Sequence, residues 1–338
     1  MSIRSIPGQD HVADMFERIF ERDRLGHAYI FAGPKGVGKS LFARELAKAL
    51  LCEKSKFLGC DECSICRRVD SRNHPDVHWH RPPEGKRIFP IDVVRDEIIP
   101  TMGVKAFEGG YKVFILEEAH MMNEEAANCL LKTLEEPPER SLLILITSAP
   151  NRLLPTILSR CQMVRFRAIP PDVLTKQLMQ ALEIKREEAE NLAHLSGGSL
   201  AAALALHETG GIELKNSVTD RVIKAGPSDN FAVADELIAA APSKATLDEK
   251  REYLFGILNF LLFYYRDMLV SACGGDVVVL NRDRVHDIFE RGQRLGRERI
   301  ERIIHTILKT QEVIFLNANL DLALGNMMTD LAGLQRTG

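Results

Sequence analysis

The stretch Gly33-Pro34-Lys35-Gly36-Val37-Gly38-Lys39-Ser40 follows directly on the apolar run Ala28-Tyr29-Ile30-Phe31-Ala32 and leads into a helical pattern over 41–51. A G-x4-G-K-[ST] spacing in that context predicts a buried strand, a glycine-rich turn and a helix whose first N–H groups face the turn. The glycines let backbone N–H groups converge on phosphate oxygens, and the helix N-terminus adds partial positive charge. Lys39 is positioned to reach the β- and γ-phosphates, and the Ser40 hydroxyl to ligate Mg²⁺. Without the flanking strand and helix, the same letters would describe only a flexible turn.

Further apolar runs at 76–80, 112–116, 142–147 and 163–166 alternate with helical patterns at 91–99 and 124–134. Strands alternating with helices predict an α/β domain with a parallel sheet covered on both faces. From Pro170 onward the pattern is helical only: short units at 173–182, 186–195 and 199–207, then longer periods that include 254–270 and 299–316. Three regions are expected, 1–168, 169–209 and 210–338.

The strand at 113–116 runs into Glu117-Glu118. An acid at that position can hold Mg²⁺ through water, and a second can orient the attacking water, which makes Glu117 a metal-side candidate and Glu118 the candidate base. The alternative is that both acids simply begin a helix, where negative charge is favoured. Four of the seven cysteines, Cys52, Cys60, Cys63 and Cys66, form C-x7-C-x2-C-x2-C within a module at 52–66. Four thiolates at this spacing can wrap one tetrahedral Zn²⁺, and four sulfur ligands leave no open position, so the site is structural. The alternative is four small apolar core cysteines. His74, His78 and His80 read as surface or strand residues, and Met121 and Met122 as core.

Composition narrows the class. With 44 basic and 47 acidic residues the net charge is -3, so any nucleic-acid contact must come from a local patch and not from bulk charge. The arginine-rich segment 281–302 reads as a solvated helix face, with a nucleic-acid or partner contact as the alternative. No run of 18 apolar residues is present; the best, 254–265, is cut by Asn259. The first residues lack the apolar core of a signal peptide. Together with clustered cysteines, this predicts a reducing, cytoplasmic setting and no membrane span.

Four segments carry a resemblance: Gly26-His27-Ala28-Tyr29, the cysteine insert, Leu130-Leu131-Lys132-Thr133-Leu134-Glu135-Glu136-Pro137-Pro138, and Thr156-Ile157-Leu158-Ser159-Arg160-Cys161. With these the chain resembles the bacterial clamp-loader subunits of the AAA+ class, over roughly its first half. The resemblance implies a P-loop (AAA+) domain at 1–168, a helical lid at 169–209 and a helical collar at 210–338 that joins five subunits. It implies ATP with Mg²⁺ at residues 33–40, and Thr147-Ser148 as the polar sensor of the γ-phosphate. Arg160, in the Ser-Arg-Cys motif, would reach a neighbour's ATP as a finger in trans. Implied partners are clamp-loader subunits of the delta and gamma/tau kinds in a hetero-pentamer, a sliding clamp, and primer–template DNA.

Two departures bear on the kind of subunit. Motor subunits carry Asp-Ala-Ala-Ser soon after the cysteine module, where this chain has 76–83, and Gly-Ser-x-Arg in the lid, where this chain has Gly198-Ser199-Leu200-Ala201. Both resemble the delta-prime branch, a stationary part of the DNA polymerase III holoenzyme with little or no ATP turnover of its own. The competing readings are a gamma/tau-like motor, a stand-alone P-loop enzyme such as a nucleotide kinase, and a zinc-bearing DNA-binding module. Clamp-stimulated ATPase separates the first, a small-molecule acceptor the second, and salt-dependent DNA binding by the chain alone the third.

Overall fold

A computed structural model describes residues 3–55, 58–83, 88–108, 110–226, 228–241, 246–274, 279–316 and 318–335. Positions 56–57 of the expected cysteine module lie outside the described residues. The chain divides into two compact units, 1–183 with 197–202, and 184–196 with 203–338.

In the first unit the apolar runs become β1 (Ala28–Ala32), β2 (Val77–His80), β3 (Lys112–Leu116), β4 (Ser141–Thr147) and β5 (Gln162–Arg165). They form one parallel sheet in the order β2-β3-β4-β1-β5. The three inner strands are buried at every position. Continuous apolar runs are what a sheet covered on both faces requires. Side chains still alternate between the faces. Tyr29 and Phe31 join Phe16, Phe42, Ile144 and Phe166 on one side. Ala28, Ile30 and Ala32 join Phe114, Leu130 and Leu145 on the other. On the first side, rings pack at tilted or edge-on angles, with Phe16–Tyr29 and Phe31–Phe166 centroids 5.1 Å apart and Phe31–Phe42 5.8 Å apart. These offsets suit the aromatic quadrupole.

The segment expected as a helix at 91–99 contains a wide turn over Val93–Ile98, where the Ile99 N–H reaches the Val94 carbonyl. Pro100 follows at once in Ile99–Gly103. Proline has no N–H and its ring crowds the carbonyl four residues earlier, so regular α-turns cannot continue there. His74 corrects the sequence reading: it is buried before β2, and its Nδ1 accepts from the Asp76 N–H at 3.1 Å. Asp76 in turn accepts from the N–H groups of Phe107 and Glu108 at 2.7 and 3.0 Å.

Among the described residues, every regular element of the second unit is a helix. Its longest helix, Leu247–Ala272, starts in a capping box: Thr246 Oγ1 accepts from the Glu249 N–H, and the Glu249 carboxylate accepts from the Thr246 N–H. Such a reciprocal cap satisfies two donors that a helix start leaves open. Leu254, Leu258, Leu261 and Tyr265 of this helix pack with Ile300, Ile303 and Ile307 of Arg297–Phe315 and with Leu324 and Met328 of Leu320–Gln335. By length and composition alone, Glu249–Ala272 could cross a membrane, which the count of uninterrupted apolar residues had not anticipated. Half of it is buried inside the unit, where Asn259 accepts from Gln311 Nε2 at 2.9 Å. Asp267, fully buried, accepts from the Asn281 N–H and Nδ2, each at 2.8 Å. Polar groups paired inside protein mark a core helix.

Candidate functional site

Strand order decides what meets at the carboxyl end of the sheet. Because β4 lies between β3 and β1, Thr147 at its end stands between the acids that follow β3 and the glycine loop that follows β1. Ligands of open α/β sheets bind in this crevice.

Gly38 takes a left-handed φ of 99° and caps the helix Lys39–Leu51, its carbonyl accepting from the Phe42 N–H at 2.8 Å. Gly36, at φ 73°, is closed in on its far side: a Cβ there would lie 2.2 Å from Ser199 Oγ and 2.8 Å from the Ala201 side chain. The Leu200 N–H also donates to the Gly36 carbonyl at 3.1 Å. The segment 197–202 therefore lies on the glycine loop, and it brings Ser199, Leu200 and Ala201 there.

Lys39 is buried, and its Nζ donates to the carbonyls of Gly33 at 2.7 Å and Pro34 at 2.5 Å. Burial pushes its ammonium down to about 8, with Glu118 opposing and Lys35 reinforcing. An arriving phosphate would take the place of those carbonyls and hold the charge. Ser40 is half-buried in the first turn. A cavity of about 600 Å³ opens beside the loop, between Gly33, Pro34 and Ser148 on one side and His11, Met15 and Met163 on the other.

Glu117 and Glu118 occupy the turn after β3. The Glu117 N–H donates to the His80 carbonyl at 2.8 Å, and Glu118 sits at a left-handed φ of 51°. A non-glycine residue held there signals a backbone fixed by its surroundings. One residue escaped the sequence reading. His120, buried, lies between Glu118 and Thr147, with Nε2 3.4 Å from Glu118 Oε2 and Nδ1 3.1 Å from Thr147 Oγ1. Burial holds it below the usual imidazole range, against the pull of Glu118. The only local signal was an imidazole two residues past an acid at a strand end. Thr147 is 27 positions away in sequence.

The structure brings Cys52, Cys60, Cys63 and Cys66 together with all four sulfurs within 4.8 Å of one another and no disulfide among them. The Cys60 and Cys66 sulfurs stand 3.9 Å apart, close to the edge of a zinc–thiolate tetrahedron with bonds of about 2.3 Å. N–H groups of Cys63 and Cys66 donate to the sulfurs of Cys60 and Cys63, each at 3.4 Å. Backbone donors, chiefly at Glu62 and Cys63, pull Cys60 down to about 6, while burial pushes Cys66 up. Donor set and spacing fit a tetrahedral metal ion. The module is tied to the P-loop helix by Lys48, which is buried and reaches Asp61 at 2.6 Å, Asp70 at 2.7 Å and Glu45 at 3.1 Å.

Arg160 follows the helix Pro155–Leu158 at the domain edge, one-third exposed. It does not extend freely. Nε and Nη2 donate to Glu135 Oε1 at 3.0 and 2.5 Å, and Nη1 donates to the Thr156 carbonyl and Ser159 Oγ. In the second unit, the arginine-rich segment is only partly a solvated face. Arg284 pairs with Asp220 and Asp287, Arg291 with Asp287, and Arg297 with Glu301.

Residues 8–170 match the model of the family described as "DNA polymerase III, delta subunit". The delta' subunit of DNA polymerase III from Bacillus subtilis is 29% identical over 317 residues, 92% of each chain. That of Pseudomonas aeruginosa is 38% identical over 212 residues, 62% of this chain and 64% of the relative. The chain is similar to DNA polymerase III clamp-loader subunits. The tau subunit from Bacillus subtilis is also similar, 27% identical over 91% of this chain, which spans 57% of that relative. Among solved structures, a gamma-subunit-related protein from Thermotoga maritima covers 96% of the chain at 18% identity with a TM-score of 0.49.

Proposed function

We propose that the chain is the delta-prime-type, stationary subunit of a clamp loader, one that binds ATP with Mg²⁺ at residues 33–40 and lends Arg160 to a neighbour's ATP. It acts in the cytoplasm within a hetero-pentamer of delta and gamma/tau subunits that loads a sliding clamp onto primer–template DNA. The domains follow the family pattern, a P-loop domain at 1–168, a lid at 169–209 and a collar at 210–338. The observation that carries the stationary reading is the segment on Gly36: Ser199 and Ala201 lie where a motor's Gly-Ser-x-Arg would deliver an arginine. Without that arginine, charge developing on the γ-phosphate is under-stabilised. The complete Lys39 cradle and Glu118 favour the motor as the second reading.

Native mass spectrometry after mixing with delta and gamma/tau subunits tests assembly, and a hetero-pentamer is expected. ATPase of that complex, with and without Lys39→Ala in this chain, then separates the readings. An unchanged rate is expected of a stationary subunit; a rate that drops by one site's share makes it a motor. We assign Zn²⁺ to Cys52, Cys60, Cys63 and Cys66. Metal analysis of protein purified without chelator should find one zinc per chain, and zinc-free protein removes the assignment.

A further inference from the structure

We infer that His120 is a positioning residue that couples γ-phosphate sensing at Thr147 to the carboxylate of Glu118. The inference rests on the nucleotide reading above and adds the internal linkage of that site.

Thr147 Oγ1 accepts from the Ala149 N–H at 3.0 Å and lies 3.1 Å from His120 Nδ1. The Glu118 carboxylate facing Nε2 can only accept, so in a neutral ring the proton sits on Nε2, Nδ1 accepts and the Thr147 hydroxyl donates. A neutral imidazole that accepts at Nδ1 carries its proton at Nε2. That Nε2–H faces Glu118 Oε2 at 3.4 Å, an oxygen that is buried and makes no hydrogen bond among the described residues. Thr147 and His120 are buried and Glu118 half-buried, so water does not substitute freely for any of these contacts.

Thr147 has a single hydroxyl proton. A γ-phosphate oxygen arriving at the sensor competes with Nδ1 for it. When the phosphate takes the proton's hydrogen bond, the ring loses the contact that fixed its tautomer and orientation. Nε2–H is then no longer held on Glu118, and the carboxylate is released toward the attacking water. ADP has no γ-phosphate and leaves the Thr147–His120–Glu118 chain intact. By linkage, whatever occupies Thr147 and whatever Glu118 does must influence each other equally.

The test is a double-mutant cycle on the full chain, with dissociation constants for ATP and ADP measured by displacement of a fluorescent nucleotide. Thr147→Val, Glu118→Gln and their combination are compared in the native background and again with His120→Phe. With His120 present, the pair should depart from additivity in ATP affinity by about threefold or more. With His120→Phe the two should add to within about a factor of two, and ADP should show additivity in both backgrounds. If circular dichroism shows His120→Phe unfolded, His120→Asn serves instead, because it can meet Thr147 but falls short of Glu118. Additivity for ATP in the native background, or the same departure after His120 is replaced, overturns the coupling while the nucleotide reading stands. A wild-type chain that binds neither nucleotide overturns both.

Discussion

The glycine-loop corner and the Arg160 corner belong to the same α/β unit, yet they are built in opposite ways. At the loop, Lys39, His120 and Thr147 are buried, and each is fixed by backbone or by another buried side chain. At the other corner, Arg160 is one-third exposed and held by Glu135, itself half-exposed. Groups whose desolvation is already complete in the single chain are ready to meet a ligand. An exposed arginine on a carboxylate gains little from that pair and exchanges it at small cost for a stronger anion. One corner is finished within the chain; the other keeps an exposed pair that a stronger anion can displace.

The two corners differ most in what Arg160 would do outside the chain. In the assembled complex, Arg160→Ala should lower hydrolysis at the neighbouring site by about 10³-fold while leaving this chain's own nucleotide affinity unchanged. Arg160→Lys should recover only part, since a point charge lacks the planar fork. Clamp-stimulated ATPase at the wild-type rate, with assembly confirmed, would make the arginine a surface residue. Next in size, Lys39→Ala should weaken ATP binding by this chain about 100-fold, the worth of its charge-assisted phosphate contacts. Titration calorimetry with unchanged affinity would mean that the cradle holds nothing.

The pH dependence sharpens the contrast further. Lys39 has its pKa pushed down to about 8 in the free chain, and bound phosphate would raise it. ATP affinity should therefore be full below about pH 8 and fall as pH rises, losing about tenfold between pH 7 and 9. A flat profile would show that the ammonium does not contact phosphate. Smallest is Glu135→Gln, which should cost less than about 1 kcal/mol in denaturant unfolding because the pair is exposed on both sides. A loss of several kcal/mol would mean that this corner is as rigidly built as the loop.

Much of the α/β unit was legible from local pattern. The inner strands announce themselves as unbroken apolar runs, Gly33–Ser40 as a loop between strand and helix, and the four cysteines as a cluster within 15 positions of chain. What escaped the sequence is what long-range pairing creates. His120 gains its place from Thr147, which only the order β3-β4-β1 brings beside it. Arg284 looked solvated by composition because one of its acids, Asp220, lies 64 positions away in the helix Gly211–Lys224. Arg160 was expected to point outward, and nothing local says that Glu135, at the end of the helix Glu124–Glu135, catches it.

The sheet order also has a consequence for synthesis. β1, which launches the glycine loop, pairs with no strand near it in sequence: Ala28 meets Leu143 and Tyr29 meets Gln162. A chain made from its N-terminus has the loop early, but both neighbours of β1 come last among the strands. Until β4 emerges, Tyr29, Ile30 and Phe31 have no sheet to join and the loop has no fixed floor. The cysteine module, whose four sulfurs span only 52–66, needs no such wait. A nascent chain of this kind can gather its four cysteines long before its glycine loop has a floor to rest on.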